Sequence, residues 1–303
     1  MIKLSYLLES LRKQNTISSE TSVSGFGYWN NEDVTITFRP AEPGSGITFV
    51  RSDKDPHVRI PAKLEHRIES PRRTVLRRSN ATVELIEHVM AALAGLNIDN
   101  CEVWTDGPEM PGLDGSCLPL VEALKSAGIQ RQDADRARLV VTENTRINDD
   151  DGCWIEARPL GKKDPVGMHV QYRLDYGINH IIGRQTLRCH CQPDFFCEEI
   201  APARTYLLKE EADWMRERGI GLRATYKDLL IFADPEGVIE NKLRFEDECV
   251  RHKVLDMIGD LALSGFDLIG QFIAYRSGHR LNAQLVKALL AEGRIIETPR
   301  AMA

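Results

Sequence analysis

The chain contains no apolar run approaching the roughly 18 residues that a membrane-spanning helix needs, so no transmembrane segment is expected. It also lacks an excess of positive charge. Thirty-nine Lys and Arg face 45 Asp and Glu, a net charge of −6, so no global field recruits nucleic acid and none is expected as a partner. The local exception, "RRTVLRR" (72–78), reads as a solvated loop or edge strand. The opening "MIKLSYLLESLRKQNT" has no apolar core followed by a small-residue cleavage site, so it is not a secretory signal. It resembles a short amphipathic helix, and the chain is expected in the cytoplasm. No Cys-x-x-Cys pair is present among the seven cysteines, which fits free thiols in a reducing compartment. Cys189, Cys191 and Cys197, with His190 between the first two, are read as small apolar side chains in a strand rather than a structural zinc site. Internal repeats and low-complexity segments are also missing.

What is present suffices for two domains: 303 residues with 42% hydrophobic and 28% charged residues, the composition of a globular chain. "DVTITFRPAEPGSGITFVR" (33–51) reads as two strands around a Pro/Gly turn. A helix is predicted over about 82–94, closed by Gly95, a strand over 100–107, and a second helix over 118–129. "QRQDADRAR" (130–138) is polar and aperiodic, the best linker candidate. Strands resume at 138–148 and 153–160 around the turn "DDDG", and again at 167–176. Helical stretches follow at 208–218, 247–264 and 281–292. Strands with helices near the end of each half indicate an α+β fold, with domains over 1–131 and 137–303.

In "VRHKVLDMIGDL" (250–261), His252, Asp256 and Asp260 recur at four-residue steps and share one helical stripe. Taken alone, such a stripe reads as the wet face of a helix. The helix over 82–94 argues otherwise, because Leu85, Ile86, Val89, Met90 and Leu93 leave it apolar almost all round. Glu87 and His88 on it need compensation, since an unpaired buried charge costs several kcal/mol. A core histidine bonded to a carbonyl would explain His88 alone, but its neighbour Glu87 would remain. His252 and Asp256 can reach one ion from one helix face, with His88 as third ligand, the shell of a catalytic zinc site with an open position. Glu87 would then act as base toward the attacking water. His279 follows Ser-Gly at a strand-to-helix junction, an exposed loop position. Alone it reads as a surface histidine; held by Asp260 it becomes a cation suited to a developing oxyanion.

"VELIEHVMAALAGLNIDN", "GPEMPGLDGSCLPLVEAL", "APARTY", "LRFEDECVRHKVLDMIGDL" and "IGQFIAYRSGHRLNAQLVKALL" together resemble the UDP-3-O-acyl-N-acetylglucosamine deacetylases, zinc amidases of lipid A synthesis. The resemblance implies two α+β domains of similar topology, with helices packed between two outer sheets. It implies zinc on His88, His252 and Asp256, Glu87 as catalytic base, and His279 with Asp260 as the cationic pair. Thr205 falls on the threonine that helps hold the oxyanion, and Lys253 on the lysine at the nucleotide side of the substrate. Tyr206 stands where the family usually has Phe. The implied substrate is an acylated UDP-amino sugar, hydrolysed by a monomer to acetate and a free amine. Two stretches depart from the family pattern. "GFGYWNN" (25–31) carries Trp29 in place of a histidine, and Arg223, Ala224 and Thr225 replace Gly-Gly-Ser in the insert that forms the acyl passage. A relative acting on a different acylated amine is therefore an alternative. So is a non-catalytic nucleotide-sugar or lipid binder, although such a protein would be expected to lose Glu87, a ligand or His279.

Overall fold

The computed structural model describes residues 11–54 and 56–297. Most of the segment expected as an opening helix lies outside them, and its last residues begin a strand, Lys13–Ile17. Alternation of apolar and polar residues builds the first sheet. In Asp33–Pro40 the side chains of Val34, Ile36 and Phe38 are buried while Thr35, Thr37 and Arg39 face outward, the period of two that a half-covered strand requires. On the outer face the neighbouring strand Thr21–Phe26 pairs hydroxyls with it, Ser22 to Thr37 at 2.8 Å and Ser24 to Thr35 at 2.9 Å. The strand order is Thr21–Phe26, Asp33–Pro40, Cys101–Thr105, Ile47–Arg51, Val58–Pro61. Only the pairing of Cys101–Thr105 with Ile47–Arg51 is parallel.

The second sheet repeats this plan. Thr145–Asn148, Trp154–Arg158, Asp267–Tyr275, Met168–Asp175 and Arg184–His190 follow in the same order. Along that path only Asp267–Tyr275 and Met168–Asp175 run parallel. Arg138–Val140 and Arg294–Ile296 extend the sheet. In the first half a three-stranded insert (67–84) precedes α1 (Glu87–Gly95), the strand Cys101–Thr105 and α2 (Leu118–Ala127). In the second half a three-stranded insert (206–238) containing α3 (Lys209–Arg216) precedes α4 (Glu248–Leu261), the strand Asp267–Tyr275 and α5 (His279–Glu292). The α+β molecule is thus one topology used twice.

The helices lie between the sheets. α2 packs on Thr21–Phe26, α5 on Thr145–Asn148 and Trp154–Arg158, and α4 on Met168–Asp175 and Arg184–His190. α1 packs mainly against α4, and every residue from Glu87 to Leu93 is buried. The two backbones touch at Gly259, where a Cβ would stand 2.1 Å from the Glu87 carbonyl oxygen. Arg12 adds a polar clamp between the halves, meeting Asp99 at 2.6 Å and Asp267 at 2.7 Å.

Three expectations change. The proposed linker 130–138 is mostly strand: Ile129–Asp135 pairs with Lys13–Ile17, and its polarity reflects exposure in a two-stranded ribbon. The helix expected over 82–94 begins only at Glu87. Ala81–Glu84 is a strand whose Ala81 and Val83 point inward, and Leu85, with φ +58°, turns the chain sharply between the two elements. "RRTVLRR" is loop only over 72–74; Val75–Arg78 is not an edge but the central strand of its three-stranded sheet, with Val75 and Leu76 buried. Cys189 lies in the strand Arg184–His190 as read, but Cys191, its Sγ 4.0 Å from that of Cys189, falls just past the strand, and Cys197 sits in the helical turn Phe196–Ile200.

Gly259→Ala forces apart two backbones already in contact. Overpacking of this kind typically costs about 1–3 kcal/mol, so the variant should unfold at lower denaturant than the parent. An unchanged midpoint would show that the α1–α4 contact yields without cost.

Candidate functional site

The stripe on α4 is not a wet face: His252, Asp256 and Asp260 are all at most 5% exposed. Across the Gly259 contact α1 delivers His88, whose ring meets that of His252 edge-on, with centroids 5.1 Å apart. One ligand atom from each of His88, His252 and Asp256 lies within 4.8 Å of the others, the one such cluster among the described residues. His252 Nδ1–H donates to the Ala203 carbonyl at 3.0 Å, a bond that turns Nε2 toward Asp256 Oδ1 at 3.3 Å. Lys253 Nζ donates to Asp256 Oδ2 at 2.8 Å, leaving Oδ1 facing the imidazoles.

Charge follows from burial. Desolvation, with His252 nearby, lowers the His88 pKa to about 3, and burial also holds His252 below its ordinary value. Both rings are neutral, as metal ligation requires. Burial would raise the Asp256 carboxyl, but the adjacent Lys253 ammonium outweighs it and keeps the group ionised. Two neutral imidazoles and one carboxylate are a donor set that fits a zinc-like divalent ion and leaves a position open.

Two further groups border this cluster. Glu87, the first residue of α1, accepts the Thr74 backbone N–H at 2.9 Å through Oε2. Burial raises its pKa to about 7, against the opposing pull of His279. His279 Nδ1–H donates to Asp260 Oδ2 at 2.8 Å, and Nε2 stands 3.9 Å from Glu87 Oε1. Burial alone would depress this imidazole, but the carboxylates of Asp260 and Glu87 raise it to about 9. The expected exposed loop position is therefore corrected. His279 is the first residue of α5 and its side chain is 11% exposed, because Asp260 holds the ring inward.

Thr205, Tyr206 and Lys253 line the same cavity of about 540 Å³ as Glu87 and the ligand cluster. Thr205 is anchored through its backbone N–H to the Gly115 carbonyl at 2.8 Å. That turn needs glycine, having φ +80° and space for a Cβ only 2.5 Å from the Asp228 carbonyl oxygen. Tyr206 packs edge-on against Phe232 and Tyr176, with Lys253 Nζ 5.9 Å above its ring. Trp29, Ala224 and Thr225, from the two departing stretches, line the cavity too, and Arg73 stacks on Trp29 at 4.0 Å. Arg223 instead pairs with Asp33 at 2.7 Å.

Four residues that support the site went unnoticed in the sequence. Thr74 bonds Asp260 and Glu87, and Asn282 donates to Asp260 Oδ2 at 2.8 Å. Arg204 and the fully buried Glu248 form an ion pair at 2.8 Å. Through it and the Arg204 N–H bond to the same carboxylate, the segment carrying Thr205 is tied to the start of α4. Arg204, Glu248 and Asn282 lie inside the segments that carry the family resemblance, which was the available signal; Thr74 lies outside them.

A His-His-Asp cluster set between two α+β halves, with an ionisable carboxylate and a cationic imidazole beside it, is the kind of centre that metal-dependent hydrolases use. A sequence profile of the UDP-3-O-acyl N-acetylglycosamine deacetylase family matches residues 14–291, and the chain belongs to that family. It is 36% identical over 282 residues to the UDP-3-O-acyl-N-acetylglucosamine deacetylase of Shewanella violacea, covering 92% of this chain and 90% of that protein. The enzymes of the same name from Shewanella baltica and Shewanella oneidensis are also 36% identical, over 284 residues, with the same coverage.

Glu248→Ala leaves the Arg204 guanidinium buried without its partner, a loss that typically costs about 3–5 kcal/mol. Denaturant unfolding should show a decrease of that size; a change below about 1 kcal/mol would mean the pair does not anchor the Thr205 segment.

Proposed function

We propose that the protein is a zinc-dependent deacetylase that hydrolyses the acetamide of a UDP-3-O-acyl-N-acetylglucosamine to acetate and a free amine, a step of lipid A biosynthesis. The observation that carries this reading is the shared cavity of Glu87, His279 and the His88–His252–Asp256 cluster in a chain matched by the family over 14–291. His88, His252 and Asp256 would hold the ion. When bound, zinc supplies Lewis acidity that polarises the carbonyl and makes water a better nucleophile.

The chain's own groups do the rest. Glu87, poised near neutrality by burial, takes the proton of the attacking water. As the C–N bond breaks, Glu87 or His279 protonates the departing nitrogen. Charged His279, held by Asp260, and the Thr205 hydroxyl face the negative charge that develops on the acyl oxygen. Lys253 and Tyr206 lie toward the nucleotide side. Tyr28, Leu229 and Ile231, which form an apolar cluster with Ala224, wall the arm for the acyl chain. A nucleotide-sugar substrate places the reaction in the cytoplasm, with the single chain as working unit. Because Trp29, Ala224 and Thr225 line the cavity, the same reaction on a differently acylated amine is the second reading.

The purified protein should contain about one zinc per chain and release acetate from the acylated UDP-sugar. Glu87→Ala should keep the metal but lose about 10²–10⁴-fold in rate. No acetate from the parent across a panel of acylated UDP-sugars would reject the function, and near-native turnover in the variant would reject Glu87 as base.

The pH dependence has a definite sign. His279 acts protonated, so activity should be lost as pH rises through its pKa of about 9. Asp260→Asn removes the largest of the influences that raise this pKa. The basic limb should move to lower pH and the maximal rate should fall. A basic limb unchanged by both Asp260→Asn and His279→Ala would remove the cationic role.

A further inference from the structure

Thr74 lies outside every segment to which a role has been assigned, yet it is 1% exposed and spends all three of its polar groups on the site. Its backbone N–H donates to Glu87 Oε2 at 2.9 Å, and its carbonyl accepts the N–H of Ile86, the residue before α1. Its hydroxyl donates to Asp260 Oδ1 at 2.5 Å. Asp260 Oδ2 is left for His279 Nδ1 and Asn282 Nδ2, each at 2.8 Å. One threonine of the first half thereby joins a carboxylate on α1 to a carboxylate on α4.

We propose that Thr74 is a positioning residue for the reaction: by holding Oδ1 of Asp260 it fixes the rotation of that carboxylate, and so the direction in which His279 points. The physical reason is that a carboxylate bonded through one oxygen only can turn about its Cβ–Cγ bond, and the imidazole that follows it turns too. With Oδ1 held from the Thr74 side and Oδ2 held by Asn282, that rotation is blocked before substrate arrives, which is the preorganisation that stabilising a developing charge needs. The same residue steadies Glu87 through its backbone, so the base and the cation keep a constant relation across the junction of the two halves. This inference rests on the deacetylase reading given above.

Thr74→Val isolates the hydroxyl, because valine keeps the shape and the N–H bond to Glu87 while leaving Asp260 Oδ1 unpaired. The loss of a hydrogen bond to a buried charge should lower kcat by about 10- to 100-fold, with KM within about twofold and zinc content unchanged. Thr74→Ser restores the donor and should return kcat to within about threefold of the parent. A readout independent of turnover is the downfield proton resonance of His279 Nδ1–H, assigned by its disappearance in His279→Ala. It should shift or broaden in Thr74→Val and recover in Thr74→Ser. A parent that releases no acetate would reject the deacetylase reading, while the resonance still tests the positioning. Native kcat and an unshifted resonance in Thr74→Val would overturn the proposal, as would a serine variant as impaired as the valine variant.

Discussion

The contact between α1 and α4 is the constraint on which the remainder of the molecule depends. Because Gly259 has no side chain, the α4 backbone lies directly against the carbonyl of Glu87. At that separation His88 from one helix and His252 and Asp256 from the other converge on a common centre. The outer sheets, the ribbon Lys13–Ile17 with Ile129–Asp135, and the Arg12 clamp between Asp99 and Asp267 all serve to keep two halves at this distance.

Duplication explains why the site stands at the junction. α1 and α4 occupy equivalent positions in the two copies of the topology, each following a three-stranded insert and preceding the central strand of its sheet. The copies have diverged in what they supply. The first contributes the imidazole of His88 and the carboxylate of Glu87, and its insert brings Thr74. The second contributes His252, Asp256 and the Asp260–His279 pair, and its insert, with α3, lines the cavity. Neither half carries a complete donor set.

Environment then separates groups of like chemistry. Glu87 is raised to about 7 by burial, while Asp256, equally buried, stays ionised because the Lys253 ammonium lies beside it. Burial, with His252 nearby, lowers His88 to about 3, whereas the carboxylates of Asp260 and Glu87 overcome burial at His279 and raise it to about 9. In the proposed mechanism these environments suit one carboxylate to serve as base and the other as ligand, and one imidazole as ligand and the other as cation.

Local pattern carried much of this. Apolar alternation located the paired strands, and the four-residue stripe and the all-round apolar helix located His88, His252, Asp256 and Glu87, because burial and periodicity leave a mark in neighbouring residues. Patterning failed where partners are distant. Thr82 and Val83 looked helical until a strand paired with them, Thr74 sat among arginines that spoke for solvent, and the polar run 130–138 looked like a linker until Lys13–Ile17 bound it. The sequence could name the candidate groups and, through the family resemblance, two halves of similar topology; it could not state that Asp260 is held from three sides, or that Arg204 meets Glu248. Those facts belong to separations of between 19 and 186 residues along the chain, distances that only the packing of α1 on α4 closes.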